Sequence, residues 1–175
     1  MTSEMTAGAA ATGDASLAER AAELFAGSVD HELALQAALQ QAVPDFADWC
    51  GVDYYAADGE LRAVHSGYPD ARQEALILEI RRRYRAERGE NGDALASLRA
   101  GEALLYPDMQ RIVSLRLSAQ ERELLSELDL RSSIVVPMHL DGEPLGVISF
   151  VSKARRYDEA DLATAQDLAL SLIHI

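Results

Sequence analysis

The sequence predicts an α+β domain, with helices packed on a mainly antiparallel sheet. Two observations carry this. Asp58-Gly59 and Asp141-Gly142 each stand between two strand-like runs, the strongest short hairpin signal. Segments with apolar residues at helical spacing lie before, between and after these hairpins, and βαβ crossovers are not the dominant pattern. That order argues against a nucleotide-binding parallel sheet.

The elements follow in order. Ser16-Leu17-Ala18-Glu19 has the form of a capping box and predicts a helix from about Leu17 to Ala26. A second helix starts near Asp30, carries Leu35, Leu39 and Val43 on one face, and stops at Pro44. Asp48 to Ala56 and Leu61 to Tyr68 are the arms of the first hairpin. Asp70 to about Arg88 is helical, with Leu76, Ile77, Ile80 and Tyr84 on one stripe. A short helix spans Asp93 to Ala100 and ends at Gly101, a residue suited to the position after a helix. Ala103 to Tyr106 is a short strand, and Pro107 to Leu117 is ambiguous. Ser118-Ala119-Gln120-Glu121 is a second capping box and opens a helix to about Leu128. Ser132 to Leu140 and Pro144 to Ser152 form the second hairpin; the latter is nearly all apolar and is expected at the centre of the sheet. Asp158 caps a last helix with Leu162, Ala165, Ala169 and Leu172 on one face, still running at Ile175. Residues 1–15, small and polar, are expected to be a disordered lead-in to a single domain over 16–175.

Composition bounds the function. The 175 residues carry 16 basic and 29 acidic side chains, a net charge of −13. A chain this acidic repels phosphate backbones and anionic lipid at long range, so nucleic acid and membrane are not expected partners. Lys153 is the one lysine. The one cysteine, Cys50, allows neither an internal disulfide nor a cysteine-rich zinc site and fits a reducing cytoplasm. No apolar run approaches the ~20 residues that cross a bilayer. His31, His65, His139 and His174 have no His or Cys partner at metal-binding spacing. No glycine-rich phosphate loop, nucleophile elbow or HExxH motif is present, which leaves catalysis without a basis in the sequence.

Three strings carry a resemblance: ADWCGVDYYAADGELR (Ala47 to Arg62), LDLRSSIVVPMHLDGEPLGVISFVS (Leu128 to Ser152, with Pro137 and Gly146) and RRYDEADLATAQDLA (Arg155 to Ala169). In this order and spacing they resemble the GAF domain, a bacterial sensor module, over about residues 31–173. The resemblance implies a three-layer, PAS-related architecture with helices on both sides of the sheet. A family signature reads Asn-Lys, then Phe, three residues, Asp-Glu. Ser152-Lys153, Tyr157, Asp161 and Leu162 stand there, so Lys153 and Asp161 match, Tyr157 is a close replacement, and Ser152 and Leu162 depart. The role implied for Lys153 and Asp161 is a structural pair pinning the last strand to the last helix, which is poor ground for cyclic-nucleotide binding.

The resemblance also places candidates around a pocket above the sheet, enclosed by the helices at Asp70–Ala100 and Ser118–Leu128. They are Tyr54, His65, Tyr84, Tyr106, Met109, Ser132, Ser133 and His139. The hydroxyls of Ser132 and Ser133 suit a small polar ligand, or solvate a strand edge. The run Arg81, Arg82, Arg83, Arg85, Arg88 reads as a solvated helix face, because Glu79 and Arg83 form a favourable i, i+4 pair. Cys50 reads as a core residue. Some GAF-like proteins reduce free methionine sulfoxide, but one thiol cannot both attack a sulfoxide and close an internal disulfide. The expectation is therefore a non-catalytic sensory domain of a bacterial signalling protein, such as a two-component system. It would bind an unidentified small molecule and relay through its terminal helices to an output domain such as a histidine kinase or phosphatase. The last helix, as in relatives, would run on into that domain. The alternative is a ligand-free homodimerisation module pairing Leu35, Leu39 and Val43 with Leu162, Ala169 and Leu172 across a two-fold axis. The sequence names no cofactor.

Overall fold

A computed structural model describes residues 29–43, 45–56, 61–67, 70–88 and 92–173. The helix expected at Leu17 to Ala26, the lead-in, the Asp58-Gly59 turn and the end of the last helix at 174–175 lie outside these residues.

The order is α1 (Val29–Ala42), β1 (Trp49–Tyr55), β2 (Leu61–Gly67), α2 (Ala71–Arg88), α3 (Asp93–Ala100), β3 (Leu104–Tyr106), α4 (Met109–Arg116), α5 (Ala119–Leu128), β4 (Ser132–Leu140), β5 (Glu143–Ser152) and α6 (Glu159–Ile173). The five strands form one antiparallel sheet in the order β2-β1-β5-β4-β3, with helices around it. β5 lies at its centre, as its apolar run predicts. It pairs with β4 through the two-residue Asp141-Gly142 turn, where both residues have positive φ (51° and 86°), as a type I′ hairpin turn requires. β5 also pairs with β1, from Trp49 opposite Val151 to Tyr54 opposite Gly146.

Helix ends are fixed by side chains. In α5 the expected capping box is complete: Glu121 N donates to Ser118 Oγ (3.3 Å) and Ser118 N to Glu121 Oε2 (2.8 Å). In α6, Asp158 Oδ1 accepts from Ala160 N (2.9 Å) and Asp161 N (3.0 Å), while Asp161 Oδ2 accepts from Asp158 N (3.1 Å). The ambiguous segment after Pro107 resolves as α4, whose first turn is held by Asp108 Oδ1 accepting from Arg111 N (3.2 Å).

Side-chain alternation divides the core in two. One face of the sheet carries Cys50, Val52, Tyr54, Ile134, Val136, Met138, Ile148 and Phe150 and packs on Leu39 and Ala42 of α1 and on Ala165, Ala169 and Ile173 of α6. Each large apolar side chain buried here is worth ~1.5–3 kcal/mol. The other face packs Trp49 and Val151 against Ile77 and Ile80 of α2 and Leu125 and Leu128 of α5, and Val135 and Val147 against Leu98 of α3. The residues considered for a two-fold interface belong to the first core. Leu39 and Ala169 are buried, and Leu35, Val43, Leu162 and Leu172 pack against them. Their apolar stripes cover this chain's own sheet; among the described residues, the large apolar side chains that α1 and α6 expose are Leu33 and Leu170.

The junction of β5 and α6 is tied across the sheet. Ser132 Oγ donates to Arg155 O (2.7 Å) and accepts from Tyr157 N (3.1 Å). The buried Tyr157 stacks on Phe46 (centroids 5.3 Å apart) and donates its hydroxyl to Phe46 O (2.9 Å). The expected pair of Lys153 with Asp161 does not form. Asp161 takes Arg155 Nη2 at 2.6 Å, and Lys153 Nζ donates to Gln73 Oε1 of α2 at 2.6 Å. The reason is reach: Arg155 lies in the loop entering α6, whereas Lys153 leaves β5 toward α2. The pinning of strand to last helix survives, with arginine as its cation.

Candidate functional site

The two faces of the sheet differ in chemistry. The face toward α1 and α6 is mainly apolar; its buried polar groups include Ser66, Ser132 and Ser152, and the hydroxyls of Ser132 and Ser152 are spent on hydrogen bonds within the chain. On the α2 face, alternation brings up Trp49, Gly51 and Asp53 of β1. The pairing register sets His65 and Ser149 on either side of Gly51, and Ser133 beside Val151. Asp53, Ser133 and Ser149 are buried, at 7%, 6% and 6% exposure. Polar groups are costly to bury, so a row of them between strands and covering helices makes this face a candidate ligand surface.

Trp49 organises this face. A Cβ at Gly51 would stand 2.5 Å from the Trp49 ring, so the glycine is what lets the indole lie across the strand. The Arg81 guanidinium covers the ring at 4.7 Å and donates to the Asp53 carboxylate. On its other flank His65 lies nearly parallel to it, with centroids 6.3 Å apart and an interplanar angle of 19°. Glu74, in the first turn of α2, holds His65 Nε2 at 3.1 Å. The Trp49 indole N–H is fully buried and has no hydrogen-bond partner among the described residues. The face thus offers an unspent donor, two buried hydroxyls, an imidazole and an ion pair beneath a helix. Among the described residues no serine or cysteine is hydrogen-bonded to a histidine, and no three His, Cys, Asp or Glu residues converge as a metal would need.

Of the expected pocket residues, His65 and Ser133 lie on this face. Tyr106 packs at its edge beside Val135 and Val147, and Met109 packs against the Trp49 cluster. His139 is on the same side, beside the register shift between Met138 and His139, but its Nε2 is bonded to Leu98 O (3.1 Å) near the end of α3. Two residues belong elsewhere. Tyr54 is one position out of phase with Trp49 and Asp53, so it enters the α1 core and donates to Glu32 Oε1 (3.0 Å). Burial first, then the Glu32 carboxylate, raises its pKa to about 12. Ser132 is out of phase with Ser133, and its hydroxyl is spent on the β5–α6 junction. The side chain of Tyr84 lies outside the described residues.

The arginine run divides. Arg82 and Arg83 both bind Glu79, at 2.9 and 2.7 Å, as a solvated face. These two guanidinium hydrogen bonds hold the Glu79 carboxyl at about 2. Arg81 departs from that reading and turns inward to Asp53. Trp49, Asp53, Arg81 and Ser149 were not among the expected site residues. Their signal was present in Trp49-x-Gly51-x-Asp53, a period-two set with a carboxylate inside an apolar strand. Cys50 is fully buried on the opposite face, its thiol donating to Leu39 O (3.3 Å), and burial raises its pKa to about 12.

The GAF domain family profile matches residues 30–173. The chain belongs to the GAF domain family. Solved structures of the same fold include the GAF domain region of a putative membrane protein from Geobacter sulfurreducens PCA (18% identity, TM-score 0.60, 83% of this chain and 92% of that one). Another is a domain of a putative two-component sensor histidine kinase protein from Sinorhizobium meliloti 1021 (10%, 0.55, 85% and 90%). A third is the free methionine-R-sulfoxide reductase from Neisseria meningitidis, solved with its substrate (20%, 0.52, 94% and 91%). At these identities the likeness is one of fold. No curated protein matches the chain. No helix among the described residues is long and apolar enough to cross a membrane.

Proposed function

We propose that this GAF domain is a non-catalytic sensory module that binds a small polar molecule on the α2 face of its sheet. The observation that carries the reading is the buried indole N–H of Trp49, which has no hydrogen-bond partner among the described residues, on the face that also carries Asp53, Ser133 and Ser149. A ligand acceptor opposite that donor would remove a cost that the free fold bears. The sensor kinase among the structural neighbours agrees with a signalling role. Terminal helices α1 and α6 pack on the other face of the same strands, so an occupant that shifts β1 or β5 changes the surface on which they rest. We assign the output domain to whatever these helices join, a histidine kinase or phosphatase among the candidates, in a cytoplasmic two-component or related system.

The reductase neighbours raise a catalytic reading. The only thiol of the chain argues against it: Cys50 is buried, protonated at neutral pH, and faces away from Trp49. A homodimer through α1 and α6 is the second reading and rests on the exposure of Leu33 (57%) and Leu170 (56%). Native mass spectrometry of the purified chain, compared with its denatured mass, tests both. A non-covalent excess of metabolite size supports the sensory reading, and its loss in Ser133→Ala assigns the excess to this face. A bare chain that no metabolite stabilises refutes it, and a bare dimer favours the second reading.

A further inference from the structure

A second candidate site lies away from the Trp49 face. A cleft of about 330 Å³ opens where four segments meet: Pro107, Asp108 and Gln110 at the entrance to α4, Asp129–Arg131 between α5 and β4, Lys153 at the end of β5, and Arg156 in the loop to α6. The volume is in the range of small-molecule sites.

Its walls are braced by the backbone. Met109 N donates to Arg131 O (2.9 Å) and Arg131 N to Ser152 O (2.9 Å), joining α4 to β4 and β4 to β5. Asp48 Oδ2 accepts from Ser152 Oγ (3.0 Å) and Lys153 N (2.7 Å), and Ser152 Oγ accepts from Arg155 N (2.9 Å). The rim is therefore preformed. The Arg131 guanidinium, in contrast, has no hydrogen-bond or ion-pair partner among the described residues and is exposed. Arg156 approaches Asp108 only to 3.7 Å, too far for a hydrogen bond, so that contact leaves its fork of donors unspent. Asp108 already accepts from the backbone N–H of Arg111. The lining thus carries three cations, of which Lys153 is already bonded to Gln73 of α2 (2.6 Å), against two carboxylates, one of them engaged at a helix start.

We propose that this cleft binds a small, multiply charged oxyanion, with Arg131 and Arg156 as two-pronged donors. Two arginine forks on a preformed rim fit the paired oxygens of a phosphate or carboxylate group. The Gln110 amide supplies a neutral polar group at the same rim. Because the lining joins the α4 and α5 ends to the loop entering α6, an occupant would tie the last helix to the rest of the domain. The inference does not depend on the Trp49 face.

Isothermal titration calorimetry of the full chain, in about 20 mM salt to limit screening, tests it with pyrophosphate and with succinate as separate probes. Saturable one-site binding of either probe is expected, weakened about tenfold or more by the double substitution R131Q/R156Q and unchanged by Ser133→Ala. Pyrophosphate binding identifies phosphorylated compounds as the ligand class, and succinate binding identifies dicarboxylates. Both arginines are exposed, so the double variant should melt as the parent does, and its melting curve checks this. The proposal is overturned if neither probe binds at up to about 10 mM. It is equally overturned if binding survives R131Q/R156Q, or if Ser133→Ala abolishes it, which would place the anion on the Trp49 face.

Discussion

Replacing Arg81 by methionine tests whether the polar face is held as described. The side chain of Asp53 is 10% exposed and that of Arg81 23%, so the pair is largely out of water. Methionine keeps much of the stem that covers Trp49 but removes the cation from both the indole and the carboxylate. Breaking a buried pair by deleting one partner costs ~3–5 kcal/mol, because the remaining carboxylate loses its counter-ion. Partial exposure of Arg81 admits water to Asp53 and lowers that cost, whereas loss of the cation over Trp49 adds ~0.5–2 kcal/mol. The net expectation is a loss of about 2–4 kcal/mol. Removing both charges in D53L/R81M strands nothing, so the double variant should be more stable than the sum of the single losses by about 2 kcal/mol. Urea unfolding followed by Trp49 fluorescence measures Arg81→Met, Asp53→Leu and the double variant, since Trp49 is the only tryptophan. A loss below about 0.5 kcal/mol in Arg81→Met, or strict additivity in the double variant, would refute the reasoning.

Other expectations concern the opposite core and the β5–α6 junction. Cys50→Ser keeps a donor for Leu39 O but buries a more polar group; a loss of ~1–2 kcal/mol in urea unfolding, with ligand binding intact, is expected, and a loss of binding would revive a functional thiol. Tyr157→Phe leaves Phe46 O without its donor and should cost about 1 kcal/mol by the same assay. Burial raises the pKa of Cys50 from 9.0 to about 12 and of Tyr54 from 10.0 to about 12, and raises that of Tyr157 as well. The unfolded chain releases these protons first, so their stabilisation is complete below about pH 9 and is lost as pH climbs toward 12, at ~1.4 kcal/mol per unit for each group within its window. Alkaline unfolding curves should show that decline, and stability level from pH 9 to 11 would contradict the burial of these groups.

Much of the fold was legible because local chemistry dictates it. Asp141-Gly142 fixes a two-residue turn, Ser118 and Glu121 can only usefully cap one another, and the apolar run of β5 has to be central. The pairing of β1 with β5 was not legible, since it joins segments about a hundred residues apart and no local pattern selects it. Helix α4 was hidden because a single turn-capping aspartate, Asp108, sets its start. At the site, phase decided success. The segment around Trp49 is visibly unusual, but strand alternation admits only every second residue to a face, and Tyr54 and Ser132 fall on the wrong beat beside Asp53 and Ser133. Arg81 was concealed among neighbours that do face solvent. For the signature near the last helix, motif matching named the right carboxylate, Asp161, and the wrong cation, because loop geometry rather than spacing selects Arg155.

The central claim is that the α2 face of the sheet receives a ligand, and Trp49 reports on that face directly. A fluorescence titration of the purified chain against a broad set of polar metabolites is the most direct test. The account predicts that at least one compound changes the Trp49 emission saturably, with affinity lowered about tenfold or more in Ser133→Ala. If no compound moves the emission, or if binding is indifferent to Ser133, Ser149 and Arg81, the face is a structural one and the claim is wrong.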